Sequence, residues 1–441
     1  MGIVLLKTIN TKLPESIKQL LAPIIRRRLI YGKPFQKQLT ELKNMDSATT
    51  EELEKEQFRR LKETLIHAYE HTRYYHRIFK QCGFDPFSFK DVQELLIIPE
   101  LTKSLIIENY DDLQADDITD YYSATTGGST GVPLKINLDR ESIYRERAFI
   151  YHFWGKHGYN YKTSKIASFR GTDFDGKISK LNPLYAEIQM NPCTINAETI
   201  EQYIKLMDNF GVEFLHGFPS AIYSFCKYSK QAKINLKRKY KAVFLISENV
   251  YEFQKKMMEE TLECKLYPFY GHTERAVFAE QNNDMGYTFN PLYGYVEINE
   301  NSNIICTGFV NKKMPLIRYC MDDCAEKQNG YYHIKGHREG GLYGKNNEII
   351  SAAMLEVHSK LLDKIANYQF VQDRKGEVLV RIIPFDKLTK EDEAAIRELF
   401  QKKIGNSIKV TIKVIERLDY TARGKYKLII QKYKVDEHDD K

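Results

Sequence analysis

Between residues 197 and 269 the chain alternates helix-like and strand-like segments, and this pattern restricts the fold more than any other feature. Apolar residues at helical spacing predict helices over 197–209, 219–229 and 250–262. Short β-branched and aromatic runs predict strands over 212–215, 242–246 and 265–269. Such alternation implies an α/β layer architecture with parallel strands. In sheets of that kind ligands collect beyond the carboxyl ends of the strands. Three polar turns occupy those ends: His216-Gly217-Phe218-Pro219-Ser220, Ser247-Glu248-Asn249 and Tyr270-Gly271-His272-Thr273-Glu274, with Arg275 directly after. Glu274 offers a hard oxygen for Mg²⁺, with Thr273 as a second. Three consecutive turns of this kind point to one shared site.

Upstream lies a second feature, Ser123-Ala-Thr-Thr-Gly-Gly-Ser-Thr-Gly-Val-Pro-Leu-Lys135. Gly127, Gly128 and Gly131 leave room for backbone N–H groups to turn inward. Together with the hydroxyls of Thr125, Thr126, Ser129 and Thr130 they predict a nest for phosphate oxygens, with Lys135 adding positive charge. It is not a Walker A loop, because no Gly-Lys-Ser/Thr follows the glycines. An ordinary Gly/Ser/Thr surface turn is the bland alternative.

At 441 residues the chain exceeds a single core and predicts several domains. Its composition, 42% hydrophobic and 28% charged, is that of a globular protein, and no apolar run is long enough to span a bilayer. Seven scattered cysteines suit reduced thiols and a cytoplasmic location. Residues 1–40 hold eight of the 66 basic side chains and one of the 59 acidic ones, so the formal charge of +7 resides there and the remainder is balanced. A balanced body argues against nucleic acid as a partner. The 1–45 segment reads as basic and amphipathic. It fits either peripheral contact with the inner face of a membrane through residues 1–40 or packing on its own domain.

Residues 46–115 predict helices, including one from Glu51 through Tyr75, and the aromatics of His71–Phe79 read as a core seam. A further helix is expected over 141–153. Residues 285–335 shift to short β segments, with a strand over 315–319 followed by the carboxylates Asp322 and Asp323. Cys320, Cys324 and His333 lack the second Cys-x-x-Cys pair of a zinc site. Four glycines between Gly336 and Glu348 read as a hinge, placed at 336–345. Beyond it, a helix (352–364), a hairpin turning at Lys375-Gly376, a helix (391–403) and a strand (409–415) predict a small α+β unit over 346–441.

In this order the segments resemble the adenylate-forming (acyl-AMP) ligase superfamily, in its phenylacetate–CoA ligase and capsule-biosynthesis CapK-like branch. Six motifs carry the resemblance: the glycine loop 125–131, His216-Gly217-Phe218-Pro219, Ser247-Glu248, Tyr270-Gly271-His272-Thr273-Glu274, the segment ending at Asp323, and Lys425 in Arg-Gly-Lys-Tyr-Lys. The resemblance implies an α/β fold. A large domain with mixed and parallel sheets (46–335) would be joined by the hinge to a small mobile C-terminal cap.

It also implies ATP, Mg²⁺ and a small carboxylate as substrates and cofactors, with CoA or an amine or hydroxyl on a glycan as acyl acceptor. By the same resemblance the loop and Lys135 hold phosphates, Thr273 and Glu274 serve phosphate and Mg²⁺, and Lys425 assists adenylation. Ser247, Glu248, Tyr270, Gly271, His272, Asp323 and Arg338 face adenine and ribose, and His216–Pro219 lines the acid pocket. Two departures stand out. Cys320-Met321-Asp322 replaces the usual Arg-Thr-Gly, and His337 separates Gly336 from Arg338. The first motivates a rival reading, a non-catalytic nucleotide- or lipid-binding protein on a degenerate ligase scaffold. A phosphotransferase is a third.

Overall fold

The structure is a computed structural model and describes residues 30–126, 134–171, 174–234, 236–283, 285–337, 341–346, 348–351, 355, 359–420 and 426–433. Helices α1 (Lys33–Asn44), α2 (Thr50–His71) and α3 (Arg73–Cys82) open the described chain. After α4 (Lys103–Glu108), β1 (Tyr121–Thr125) and β2 (Lys135–Asp139) pair antiparallel and lead into α5 (Ser142–Lys156). Strands β3 (Ile166–Phe169), β4 (Ser179–Asn182) and β5 (Glu187–Met190) follow. The alternating stretch comes next: α6 (Ile200–Phe210), β6 (Phe214–Gly217), α7 (Pro219–Gln231), β7 (Ala242–Leu245), α8 (Glu252–Leu262) and β8 (Leu266–Gly271). Then come β9 (Phe278–Asn283), β10 (Gly286–Phe289), β11 (Gly294–Ile298), β12 (Asn303–Gly308), β13 (Tyr319–Gln328) and β14 (Tyr331–His337). The chain continues through β15 (Gly341–Tyr343), β16 (Ile349–Ser351), β17 (Ile365–Arg374), β18 (Glu377–Pro384), α9 (Lys390–Ile404), β19 (Lys409–Val414) and β20 (Ile429–Gln431).

Two compact units emerge. The first comprises residues 1–166, 181–187 and 267–336, and the second 167–180, 188–266 and 337–441. In the first, strands stand in the order β11-β12-β13-β14-β10-β9-β8. A core of Leu61, Leu65, Tyr75, Phe79, Ile136, Ala276, Ile317 and their neighbours joins the early helices to the β1–β2 hairpin and the later strands. The aromatic seam is therefore core: Tyr74, Tyr75 and Phe79 are all buried. The long helix expected through Tyr75 is interrupted at Thr72, which takes an extended backbone (φ −126°, ψ 136°). Its hydroxyl accepts from Tyr75 N at 3.2 Å, so α3 starts with its own cap.

In the second unit β6 and β7 run parallel, as the alternation predicts, with β3 and β5 beyond β6. The C-terminal part carries a four-stranded sheet in the order β19-β18-β17-β20. Its hairpin turns at Lys375-Gly376, and Phe370, Val380, Ile396 and Phe400 pack it against α9. Residues 352–354 and 356–358 of the helix expected over 352–364 lie outside the described residues; Lys360–Lys364 forms a short 3₁₀ helix. No helix among the described residues is long and apolar enough to cross a membrane.

Candidate active site

In the first unit the chain after β8 turns sharply and brings Tyr270, His272, Glu274 and Arg275 onto one corner. Arg275 adopts a left-handed backbone (φ 56°), and its N–H donates to His272 O at 3.2 Å, which closes the turn. Its guanidinium reaches Glu146 at 2.6 Å and Ser142 Oγ at 2.5 Å, both on α5, and lies over the Tyr122 ring of β1. Arg275 thereby fixes the Glu274 turn to the hairpin whose loop is the glycine-rich segment. Close backbone approach supports this from below. A Cβ on Gly308 would come within 2.6 Å of Ala276 Cα, so only glycine admits the turn at that distance.

Across from the turn stands β13. The expected strand over 315–319 is corrected: the extended run begins at Tyr319 and contains both aspartates. The reason lies at Arg318, whose left-handed φ of 48° breaks any earlier strand while its N–H donates to Thr307 Oγ1 at 3.0 Å. Strand alternation then points the pair to opposite faces, leaving Asp322 exposed and Asp323 buried. Tyr270 Oη donates to Asp323 Oδ2 at 2.6 Å, and His272 Nε2 is 3.3 Å from the same oxygen. The Tyr270 and His272 rings meet edge to face at 4.6 Å. Burial, reinforced by the Asp323 charge, pushes the Tyr270 phenol well above its usual range, so it remains a donor. Tyr319 Oη lies 3.5 Å from Glu274 Oε1. Glu274 itself is buried.

At the hairpin, Thr126 N donates to Leu134 O at 2.9 Å, and Thr126 Oγ1 accepts from Leu134 N at 3.0 Å. This pair joins the described residues on either side of 127–133. Thr125 is opposite Lys135, whose ammonium sits 5.2 Å from the centre of the Tyr110 ring. Gly127, Gly128, Ser129, Thr130 and Gly131 lie outside the described residues, as do Arg338 and Lys425.

In the second unit His216 is buried, with Nδ1 bonded to Phe244 O at 2.9 Å. Burial and the nearby Arg170 hold its pKa well below the usual value, so the imidazole is neutral. Gly217 (φ 152°) presses on β3, and Phe218 N donates to Phe169 O at 3.1 Å. Pro219 starts α7. Ser247 takes a left-handed backbone (φ 74°). Glu248 accepts from Ser220 N at 3.1 Å through one oxygen and from Tyr426 N at 3.1 Å through the other. A bridge between Tyr420 and Tyr426 brackets the segment carrying Lys425.

Residues 342–432 match the family model of the CapK C-terminal domain. Protein CapK of Staphylococcus aureus is 23% identical across 94% of this chain and 98% of that protein. The chain is similar to CapK along nearly its whole length.

Phenylacetate-coenzyme A ligase of Escherichia coli (strain K12) is 30% identical over 108 residues, 24% of each chain. Among solved structures, 2-hydroxyisobutyryl-CoA ligase in the postadenylation state, with an acyl-AMP (R3-HIB-AMP) bound, matches with a TM-score of 0.66 at 16% identity. That likeness covers 87% of this chain and 90% of the other. The same ligase in its thioesterification state, with 2-HIB-AMP and CoA, matches with a TM-score of 0.51 at 15% identity, over 87% and 91%.

Within this CapK-like fold the first unit gathers five of the expected residues, Tyr270, Gly271, His272, Glu274 and Asp323, on one corner. The second pairs Glu248 with the N-terminus of α7. Sequence reading missed Arg275 and Tyr319 as members of the site. Arg275 stands beside Glu274 in sequence, which was the available signal, whereas nothing local marks Tyr319.

Proposed function

We propose that this chain activates a carboxylic acid with ATP, forms an acyl-adenylate with release of pyrophosphate, and passes the acyl group to CoA or to an amine or hydroxyl acceptor. The observation that carries the reading is the buried Asp323 held by Tyr270 and His272 on the corner that also holds Glu274. The likeness to acyl-AMP-bound and CoA-bound ligases in fold, and to CapK along nearly the whole chain, supports it.

A carboxylate is a poor acyl donor, since its leaving group would be oxide. Its attack on the α-phosphorus of ATP forms a P–O bond, expels pyrophosphate and leaves AMP as a good leaving group. Charge gathering on the phosphates has to be met by donors already in place. In the proposed roles the loop 125–131 and Lys135 take the β- and γ-phosphates, and Asp323 takes the ribose hydroxyls. His216–Pro219 borders the acid, and Lys425 reaches the bridging and acyl oxygens. Ser247 and Glu248 belong to the adenine side, and Arg338 to ribose or phosphate. The buried carboxylate of Glu274, with the neighbouring Thr273 hydroxyl, is a hard-oxygen donor set that fits Mg²⁺, which would neutralise phosphate charge. In the second step the acceptor's thiol, amine or hydroxyl attacks the acyl carbon and AMP leaves. Rotation of the C-terminal part about 336–345 would exchange Lys425 for that acceptor. The setting we propose is capsule or other cell-surface polysaccharide synthesis, on the strength of the CapK likeness, with residues 1–40 as the candidate membrane contact.

Lys425→Ala tests the reading. It should abolish carboxylate-dependent ATP–pyrophosphate exchange and leave ATP binding intact; exchange at the wild-type rate discards the role. Cys320-Met321-Asp322, standing where ligases carry Arg-Thr-Gly, favours a second reading in which the scaffold binds nucleotide without catalysis. Calorimetric ATP binding with no pyrophosphate release across a broad panel of carboxylic and amino acids would establish that instead.

A further inference from the structure

His67 and His71 lie one turn apart at the end of α2, so both imidazoles project from the same face of the helix. Facing them is the chain at Asp116 and Asp117. His67 Nε2 is 3.1 and 3.2 Å from the two Asp117 oxygens. His71 Nδ1 is 2.9 Å from Asp116 Oδ1 and 3.9 Å from Asp117 Oδ1. One donor atom each from His67, His71 and Asp117 falls within 4.8 Å of the others. Ligands about 2.0–2.1 Å from a tetrahedral zinc stand roughly 3.3 Å apart, which these separations bracket. From this arrangement we infer a divalent transition-metal site, with His67, His71 and Asp117 as ligands and Asp116 beside it.

Four further observations support the assignment. The aspartates are held in place before any metal arrives, since Asp116 N donates to His71 O at 3.0 Å and Ala115 N donates to Lys313 O at 2.8 Å. The cluster sits at the carboxyl end of a 22-residue helix, where the backbone dipole favours a cation. His71 and Asp116 line a cleft of about 560 Å³, which supplies an entry path and space for water or an outer ligand. Two imidazoles with carboxylate select Zn²⁺, Co²⁺ or Ni²⁺ over Mg²⁺, which prefers oxygen alone. The site is therefore chemically separate from the Glu274 carboxylate. None of its residues has a role in the proposed adenylation. Its effect is to clip the end of α2 to the segment leading into β1.

The test uses the full chain, stripped with chelator and without nucleotide. Zinc titrated by calorimetry should bind with one equivalent, and Co²⁺ should give visible ligand-field bands without a thiolate charge-transfer band. Zinc should also raise the melting temperature, because it binds the folded state. His67→Ala/His71→Ala should remove that equivalent. The near-isosteric Asp117→Asn keeps the packing and should weaken zinc binding about tenfold or more. Absence of zinc binding by the wild type overturns the site and leaves a plain His–Asp hydrogen-bond cluster. Unchanged binding by Asp117→Asn, or a cobalt spectrum dominated by thiolate, overturns it too.

Discussion

Tyr270 Oη donates to the Asp323 carboxylate at 2.6 Å, joining two residues 53 positions apart in the chain. The bond is short because one partner is charged. It also keeps the buried carboxylate aimed and satisfied. Tyr270→Phe should raise the KM for ATP in pyrophosphate exchange about tenfold, equivalent to ~1.4 kcal/mol. The maximal rate should change much less. An unaltered KM would remove Asp323 from nucleotide contact.

Glu274 is buried, and its Oε1 lies 3.5 Å from Tyr319 Oη. Glu274→Gln preserves its shape and removes the charge. The exchange rate should drop on the order of 10²–10³-fold, as for loss of one preset electrostatic group. Circular dichroism should be unchanged, since no ion pair to Glu274 is found among the described residues. A variant with wild-type turnover would show that the acid at this corner is structural.

Gly217 admits no side chain. A Cβ there would sit 2.4 Å from Phe169 O, on a backbone with φ of 152°. Gly217→Ala must push β3 and β6 apart and should lower stability by about 2–4 kcal/mol. The urea midpoint reports the loss. If it does not move, β3 and β6 are not packed this closely.

The buried, neutral His216 makes stability fall on the acid side. Its folded pKa is depressed below the ordinary 6.5, so the unfolded chain binds the extra proton first. The stabilisation is complete above about pH 6.5 and is lost progressively as the pH drops below it. His216→Asn can still donate to Phe244 O but does not titrate. Its stability should therefore decline less than the wild type's between pH 7 and 5, measured by urea unfolding at each pH. Parallel curves would mean that His216 does not titrate in this window.

Local order in the chain determined a good deal. The period of apolar residues fixed the helices and strands from 200 to 271, because that period is a property of each segment alone. The hairpin at Lys375-Gly376 was equally legible, since turn chemistry is local. Asp323 against Asp322 was a different matter. Side chains alternate along a strand, so shifting the start of β13 by one residue would exchange the buried carboxylate for the exposed one. That start is set by Arg318, whose N–H bonds to Thr307 on a neighbouring strand. The hold of Arg275 on Glu146 and the bond from Tyr426 N to Glu248 likewise join residues more than a hundred positions apart. Motif and period named the candidate residues; only the folded sheets, through register and close backbone approach, decided which of them meet.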